Sequence, residues 1–164
     1  MKRLYIIRHA KSSWDSPGLD DFARPLNKRG ETDAPRMGKR LLERDPRPDL
    51  IITSPARRAI TTCSIIAECI GFDLQRIRKQ PRLYLATDEQ IRAIVHEQHD
   101  SNQEIMLFGH NPGLTDFVNR IGKNLRLDNL PTCGIAAFRF SVDAWKDIQW
   151  GSGELLFIDY PKAL

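Results

Sequence analysis

Short apolar runs that alternate with amphipathic segments constrain the fold of this 164-residue chain more than any other feature. Three runs are apolar almost throughout, which is typical of strands covered on both faces of a sheet. They are residues 4–7, 50–53 and 105–108. Residues 134–140 and 154–158 predict a late pair of strands, with antiparallel pairing as the working hypothesis. A weaker strand is expected within residues 76–83.

Helices are indicated by apolar residues spaced three and four apart. Three such segments are residues 59–70, the stretch that follows the capping-box pair Thr87 and Gln90, and the residues between Pro112 and Gly122. A fourth helix is expected between residues 27 and 44. Pro35 disfavours an unbroken helix there, so we expect its regular part to begin near Asp33, which could serve as the N-cap.

The alternation of strands and helices predicts an α/β fold. We expect three layers, α/β/α, around a mostly parallel central sheet. The chain has no internal repeat and no linker-like stretch long enough to separate two domains, so residues 1–164 are expected to form one domain. With 41% hydrophobic and 28% charged residues, the composition excludes disordered and disulfide-scaffold classes.

The net charge and the cysteine content limit the kinds of partner and the cellular compartment that fit this chain. Subtracting 21 acidic from 25 basic residues leaves +4, which suits an anionic substrate but is too small to predict nucleic-acid binding. Three cysteines without CxxC spacing favour a reduced compartment over a disulfide framework or a zinc site. No apolar run approaches the ~20 residues that span a bilayer. We therefore expect a cytoplasmic protein with no membrane or nucleic-acid partner.

Histidines and arginines follow the three apolar strands. Arg8 and His9 come after the first strand, Arg58 after the second, and His110 after the third. The carboxyl ends of parallel strands meet at one edge, where ligands bind in open α/β sheets. Arginine matches phosphate oxygens, and a neutral imidazole is a competent nucleophile at phosphorus. These residues predict phosphoryl transfer through a covalent phosphohistidine, without a metal or other cofactor.

Four stretches resemble the signature segments of a known family. They are Arg8-His9-Ala10-Lys11-Ser12-Ser13-Trp14, Arg24-Pro25-Leu26-Asn27-Lys28-Arg29-Gly30, Ser54-Pro55-Ala56-Arg57-Arg58-Ala59-Ile60-Thr61-Thr62 and Gly109-His110-Asn111-Pro112. In this order they resemble the histidine phosphatase superfamily, which is phosphoglycerate-mutase-like in fold. The first stretch and the short chain are most similar to its SixA-type phosphohistidine phosphatase branch.

The resemblance implies a role for each matching residue. His9 corresponds to the nucleophile, Arg8 and Arg58 to the phosphate-binding arginines, and His110 to the histidine that donates to a phosphoryl oxygen. Four further residues are candidates for substrate binding or for shaping the site. They are Lys11, Ser12, Arg24 and Ser54.

The chain departs from the family at the acid that many members use to protonate a leaving alkoxide. That acid comes just after the third strand, where this sequence has Tyr84 and Leu85. The nearest carboxylates, Asp88 and Glu89, open a helix, and we interpret them as partners of the helix dipole. When phosphohistidine is cleaved, a ring already protonated on its other nitrogen leaves as neutral imidazole and needs little help from an acid. The absence of the family's acid therefore favours phosphohistidine over an alcohol ester as the substrate.

The leading hypothesis is a metal-independent phosphatase that hydrolyses phosphohistidine on a signalling protein through phospho-His9. One alternative is a small-molecule phosphomonoesterase in which Asp88 or Glu89 acts as the acid. Another is a non-catalytic module that binds phosphorylated proteins through the same arginines. A mutase is disfavoured because no insertion is long enough to cap the site and exclude water.

Overall fold

A computed structural model describes residues 1–15 and 18–163 of the chain. Its strands are β1 (Lys2–Arg8), β2 (Leu50–Thr53), β3 (Arg78–Lys79), β4 (Glu104–Gly109), β5 (Ile135–Phe140) and β6 (Glu154–Asp159). Its α-helices are α1 (Lys28–Leu42), α2 (Arg57–Cys69), α3 (Asp88–His96) and α4 (Gly113–Ile121). The strands form one sheet in the order β3-β2-β4-β1-β5-β6. The four strands from β3 to β1 are parallel, whereas β5 and β6 join the sheet antiparallel.

The sheet separates two hydrophobic cores. On one face, α1 and α2 contribute Met37 and Ile66 to a core with Met106 of β4. On the other face, α3 and α4 contribute Ile94 and Phe117 to the second core. The expected α/β/α layers around a mostly parallel sheet are therefore confirmed. Among the described residues, no helix combines the length and the apolar character needed to cross a membrane.

One local prediction was wrong. The helix expected to begin near Asp33 begins at Lys28 and continues through Pro35, with the side chain of Asn27 accepting a hydrogen bond from the Gly30 N–H as N-cap. Proline removes one backbone donor, but the helix buries an apolar face against α2, and that packing outweighs the loss. Asp33 is instead buried inside the helix, 3.3 Å from Arg29. The weaker strand expected within residues 76–83 is present as the two-residue β3.

The start of α1 is held tightly against the loop that follows β1. The Asn27 N–H donates to the carbonyl oxygen of Lys11 at 3.0 Å. A Cβ placed on Gly30 would lie 2.2 Å from that same carbonyl oxygen, so only glycine permits this approach. The strand order places β1 beside β4 and β4 beside β2, so the loops after these three strands lie side by side at one edge.

Candidate active site

A cleft of about 480 Å³ opens at the carboxyl edge of β1, β2 and β4. Its lining includes all four residues predicted for catalysis, namely Arg8, His9, Arg58 and His110. Lys11, Ser12 and Arg24 also line the cleft, and Ser54 contacts His110 behind it. The structure therefore brings together the residues predicted for catalysis and for substrate binding.

His9 is oriented by the backbone. Its Nδ1 lies 2.7 Å from the carbonyl oxygen of Ala10, which can only accept, so Nδ1 carries the proton and Nε2 is left with its lone pair. Nε2 lies 3.4 Å from Nε of Arg58. Burial, together with the neighbouring guanidinium groups, lowers the pKa of His9 to about 4. His9 is therefore a neutral imidazole at neutral pH with an unprotonated nitrogen beside a cation.

Two arginines line the cleft together with His9, and of these Arg58 is buried and Arg8 is half-buried. Arg58, in the first turn of α2, is 3% exposed, and its Nη1 and Nη2 both donate to Asp21. Arg8, at the end of β1, donates through Nη1 to the carbonyl oxygen of Leu130 at 3.0 Å. Its Nε is buried and has no hydrogen-bond partner within residues 1–15 and 18–163. An unpaired buried N–H that belongs to a cation is suited to an incoming oxyanion.

His110 follows β4 and faces His9, with 5.2 Å between the ring centroids. Its Nε2 lies 2.7 Å from Oγ of Ser54, which also accepts from the N–H of Ala56 at 3.2 Å. Burial and the nearby His9 lower the pKa of His110 to about 3. Its Nδ1 is buried without a partner in the described part of the chain. Ser54 thus acts as a positioning group for the second histidine.

Arg24 supplies a third guanidinium. It is 8% exposed, its Nη1 donates to Oγ of Ser12 at 2.7 Å, and its Cζ lies 3.5 Å from the ring centroid of Trp14. Lys11 is exposed at the edge of the cleft. Arg24 is therefore held in the site by several contacts, whereas Lys11 is exposed to solvent.

Asp21 is the site residue that the sequence reasoning missed. It lies in a short 3₁₀ turn, Asp21–Ala23, and its carboxylate accepts from Arg58 at 2.9 Å, from Arg24 at 3.1 Å and from the hydroxyl of Tyr84. Desolvation raises its pKa, but the hydrogen bonds from Tyr84 and Arg58 prevail and bring the pKa of Asp21 to about 2. Asp21 lies three residues before the stretch of family resemblance that begins at Arg24, so no motif marked it.

The two carboxylates considered as the missing acid lie elsewhere. Asp88 and Glu89, in the first turn of α3, each lie 3.0 Å from Arg120 on the surface. Tyr84 and Leu85 occupy the expected position, with Tyr84 edge-on to His110 and Leu85 lining the cleft. Across the described residues, no cluster of three or more histidine, cysteine or acidic side chains could hold a metal ion.

Comparisons with known proteins agree with this geometry. The family model of the histidine phosphatase superfamily (branch 1) matches residues 4–84. The crystal structure of an Agrobacterium tumefaciens protein named as a SixA phosphohistidine phosphatase is 30% identical, covers 98% of each chain and has a TM-score of 0.82. An uncharacterized chloroplastic protein of Arabidopsis thaliana is 31% identical over 155 residues, 89% of this chain and 70% of that protein.

A more distant relative has a different printed activity. The 2,3-bisphosphoglycerate-dependent phosphoglycerate mutase of Bifidobacterium longum is 32% identical over 114 residues, which is 65% of this chain and 45% of the mutase. This chain thus spans less than half of the mutase. Together with the full-length structural match, these similarities show that the chain belongs to the histidine phosphatase superfamily and is a hydrolytic phosphatase.

Proposed function

We propose that this phosphatase hydrolyses phosphohistidine through a covalent phosphoryl intermediate on Nε2 of His9. The observation that carries the proposal is the state of this imidazole. Its Nδ1–H is held by the Ala10 carbonyl, and its Nε2 is unprotonated, in a cleft with Arg8 and Arg58. A fixed tautomer with a depressed pKa is what a nucleophilic histidine requires at neutral pH.

In the first step, the phosphoryl oxygens bind the guanidinium groups and His110. The Nε2 lone pair of His9 forms a bond to phosphorus, and the P–N bond of the substrate breaks with its electron pair going to the substrate imidazole. That ring leaves neutral because its other nitrogen already carries a proton. The buried donors, among them Nε of Arg8, stabilise charge on the phosphoryl oxygens without having to reorganise.

In the second step, water hydrolyses phospho-His9. Its oxygen bonds to phosphorus, the P–Nε2 bond breaks, and the electron pair returns to the ring, while a proton of the water passes to a phosphate oxygen or to solvent. The arginines supply the positive charge for both steps, so we propose a metal-independent reaction. Inorganic phosphate is the product.

The acidic residues support phosphohistidine over an alcohol ester. Asp88 and Glu89 are bound to Arg120 outside the cleft, and Asp21 has a pKa of about 2, which leaves it ionised. A leaving alkoxide would lack a proton donor, whereas an imidazole with its ordinary pKa near ~6.5 departs without one.

The surroundings of the cleft support a protein as the bearer of the phosphohistidine. Three large apolar side chains at or beside the cleft are exposed by 42% or more: Trp14, Phe22 and Leu85. Grouped apolar exposure of this kind is typical of surfaces that contact another macromolecule. We therefore propose a phosphorylated protein as the partner. The cytoplasmic location expected from the cysteine content is also part of the proposal.

The test compares two substrates and two histidine variants. Wild-type protein is given a phosphohistidine peptide and p-nitrophenyl phosphate side by side, and we expect a clear preference for the peptide. His9→Asn is expected to abolish turnover and the acid-labile labelling of the protein by a phosphoramidate donor. His99→Asn, at an exposed surface histidine, serves as the matched control and should retain both.

Other outcomes would identify the alternatives. Comparable or faster turnover of the ester would favour a phosphomonoesterase. Phosphate binding with neither turnover nor labelling would favour a non-catalytic binding module. Full activity of His9→Asn would remove the proposed mechanism.

A further inference from the structure

The guanidinium group of Arg58 is hydrogen-bonded to another residue of this chain, Asp21. Nη1 donates to the backbone carbonyl oxygen of Asp21 at 2.6 Å, and Nη2 donates to its carboxylate at 2.9 Å. Its Nε donates toward Nε2 of His9 at 3.4 Å. A phosphoryl group that is attacked by His9 needs the same guanidinium fork. Asp21 and the phosphoryl group therefore require the same hydrogen-bond donors.

The contact has a clear physical cause. The side chain of Arg58 is 3% exposed, and a buried cation is costly unless an anion pairs with it. Asp21 meets this need from the rim, since its own side chain is 39% exposed. Arg24 and the hydroxyl of Tyr84 hold the carboxylate in place. The guanidinium of Arg58 is thus paired with a carboxylate that lies near solvent.

We propose that Asp21 is a resident counter-ion of Arg58, which exchanges with the phosphoryl group when substrate binds and returns when phosphate leaves. The inference rests on the proposed function only in requiring that a phosphoryl group enters this cleft. Asp21 is then a positioning residue that acts through Arg58. Its chemical consequence is weaker retention of inorganic phosphate, the product and an abundant anion.

The direction of the effect follows from the exchange. Phosphate that binds wild-type protein must replace an existing charge-assisted contact, whereas phosphate that binds a protein without the carboxylate meets an uncompensated cation. Asp21→Asn preserves the shape of the side chain and removes its charge. We expect this variant to bind inorganic phosphate about 10–100-fold more tightly than wild type. A residue with a merely structural role would leave affinity unchanged or weaken it.

The experiment measures inorganic phosphate binding by calorimetry at fixed ionic strength, and the phosphate-induced rise in Tm as a second readout. Asp20→Asn is the matched control. It removes the same charge one residue away, where Asp20 is exposed and only caps the 3₁₀ turn by accepting from the Ala23 N–H at 3.0 Å. Asparagine caps equally well. We expect the gain in affinity for Asp21→Asn and none for Asp20→Asn.

A second variant keeps the test decisive if Asp21→Asn does not fold. Tyr84→Phe removes the hydroxyl that donates to the Asp21 carboxylate, loosens its hold, and is expected to tighten phosphate binding about 2–5-fold. The proposal is overturned if Asp21→Asn binds phosphate no more tightly than wild type. Where Asp21→Asn does not fold, the same result for Tyr84→Phe overturns it. It is also overturned if Asp20→Asn shows the same gain, since a general charge effect would then suffice.

Phosphate binding is measured without turnover, which separates this inference from the proposed function. Tighter phosphate binding by Asp21→Asn with no labelling of His9 would contradict the proposed function and still support the exchange. Turnover through His9 with unchanged phosphate affinity in Asp21→Asn would sink the exchange alone. In steady-state kinetics the exchange predicts stronger product inhibition by phosphate and a lower KM in Asp21→Asn.

Discussion

Two carboxylate–arginine clusters in this protein have similar N···O distances and different surroundings. The site cluster joins Asp21 to Arg58 and Arg24 at 2.9 and 3.1 Å. The surface cluster joins Asp88 and Glu89 to Arg120, both at 3.0 Å. The Arg58 side chain is 3% exposed, whereas that of Arg120 is 44% exposed. Distance alone would rank the two clusters as equal.

The two clusters differ in the burial of the guanidinium group. An exposed ion pair is screened by water and salt and contributes little to stability. Breaking a buried pair leaves a charge without compensation, which is strongly unfavourable. The comparison teaches that the same pair of residue types marks a reactive site only where the guanidinium is removed from solvent and its donors face a cavity.

The largest expected difference between the clusters is in catalysis. Arg58→Lys keeps the charge but loses the planar fork, and we expect kcat/KM for the phosphohistidine peptide to fall about 10²–10³-fold. Arg120→Lys, the matched change in the surface cluster, should leave kcat/KM within about twofold of wild type. Equal kinetics for the two variants would erase the distinction drawn between the clusters.

The two regions should also titrate in different pH ranges. Burial lowers the pKa of His9 to about 4 and that of His110 to about 3, below the ordinary value near ~6.5. Between pH ~6.5 and ~4 these two histidines bind protons in the unfolded chain but stay neutral in the folded protein. The free energy of unfolding should therefore fall as the pH is lowered through this range, by up to about 1.4 kcal/mol per pH unit for each histidine.

The surface cluster responds only at lower pH. Desolvation raises the pKa of Asp88, but the hydrogen bond from Arg120 prevails, so its pKa lies below the ordinary value and its contribution to stability is lost only in more acidic solution. Urea unfolding across the pH range measures both responses. His110→Gln should reduce the slope between pH ~6.5 and ~4, and an unchanged slope would contradict the assignment of that range to the site histidines.

The smallest expected effect is in the surface cluster itself. Asp88→Ala removes a contact to Arg120 and a favourable charge at the start of α3, and we expect Tm to fall by no more than about 2–4 °C. The loss should shrink at high salt, and turnover should be unchanged. A large loss of turnover would instead place Asp88 in the reaction, as the phosphomonoesterase hypothesis requires.

Much of the fold follows from local patterns. The runs at residues 4–7, 50–53 and 105–108, which are apolar almost throughout, lie within β1, β2 and β4, because a strand covered on both faces has no solvent-exposed side. The start of α1 was misjudged because the local cost of Pro35 was weighed without the tertiary packing of the helix. The short β3 carries too few residues for any alternation to be recognised.

The candidate site was predictable in part for a topological reason. Once β1, β2 and β4 are parallel neighbours, the residues after them must converge, which brings His9, Arg58 and His110 together. Asp21 was not predictable because it lies in an irregular segment, where no periodicity indicates the direction of a side chain.

The approach of Gly30 to the Lys11 carbonyl makes the loop after β1 and the start of α1 a single mechanical unit. In a saturation-mutagenesis screen, every substitution at position 30 should therefore score as inactive, although glycine has no functional group to lose. A map of intolerant positions would accordingly extend beyond the reacting groups and include the backbone contacts that hold them in register.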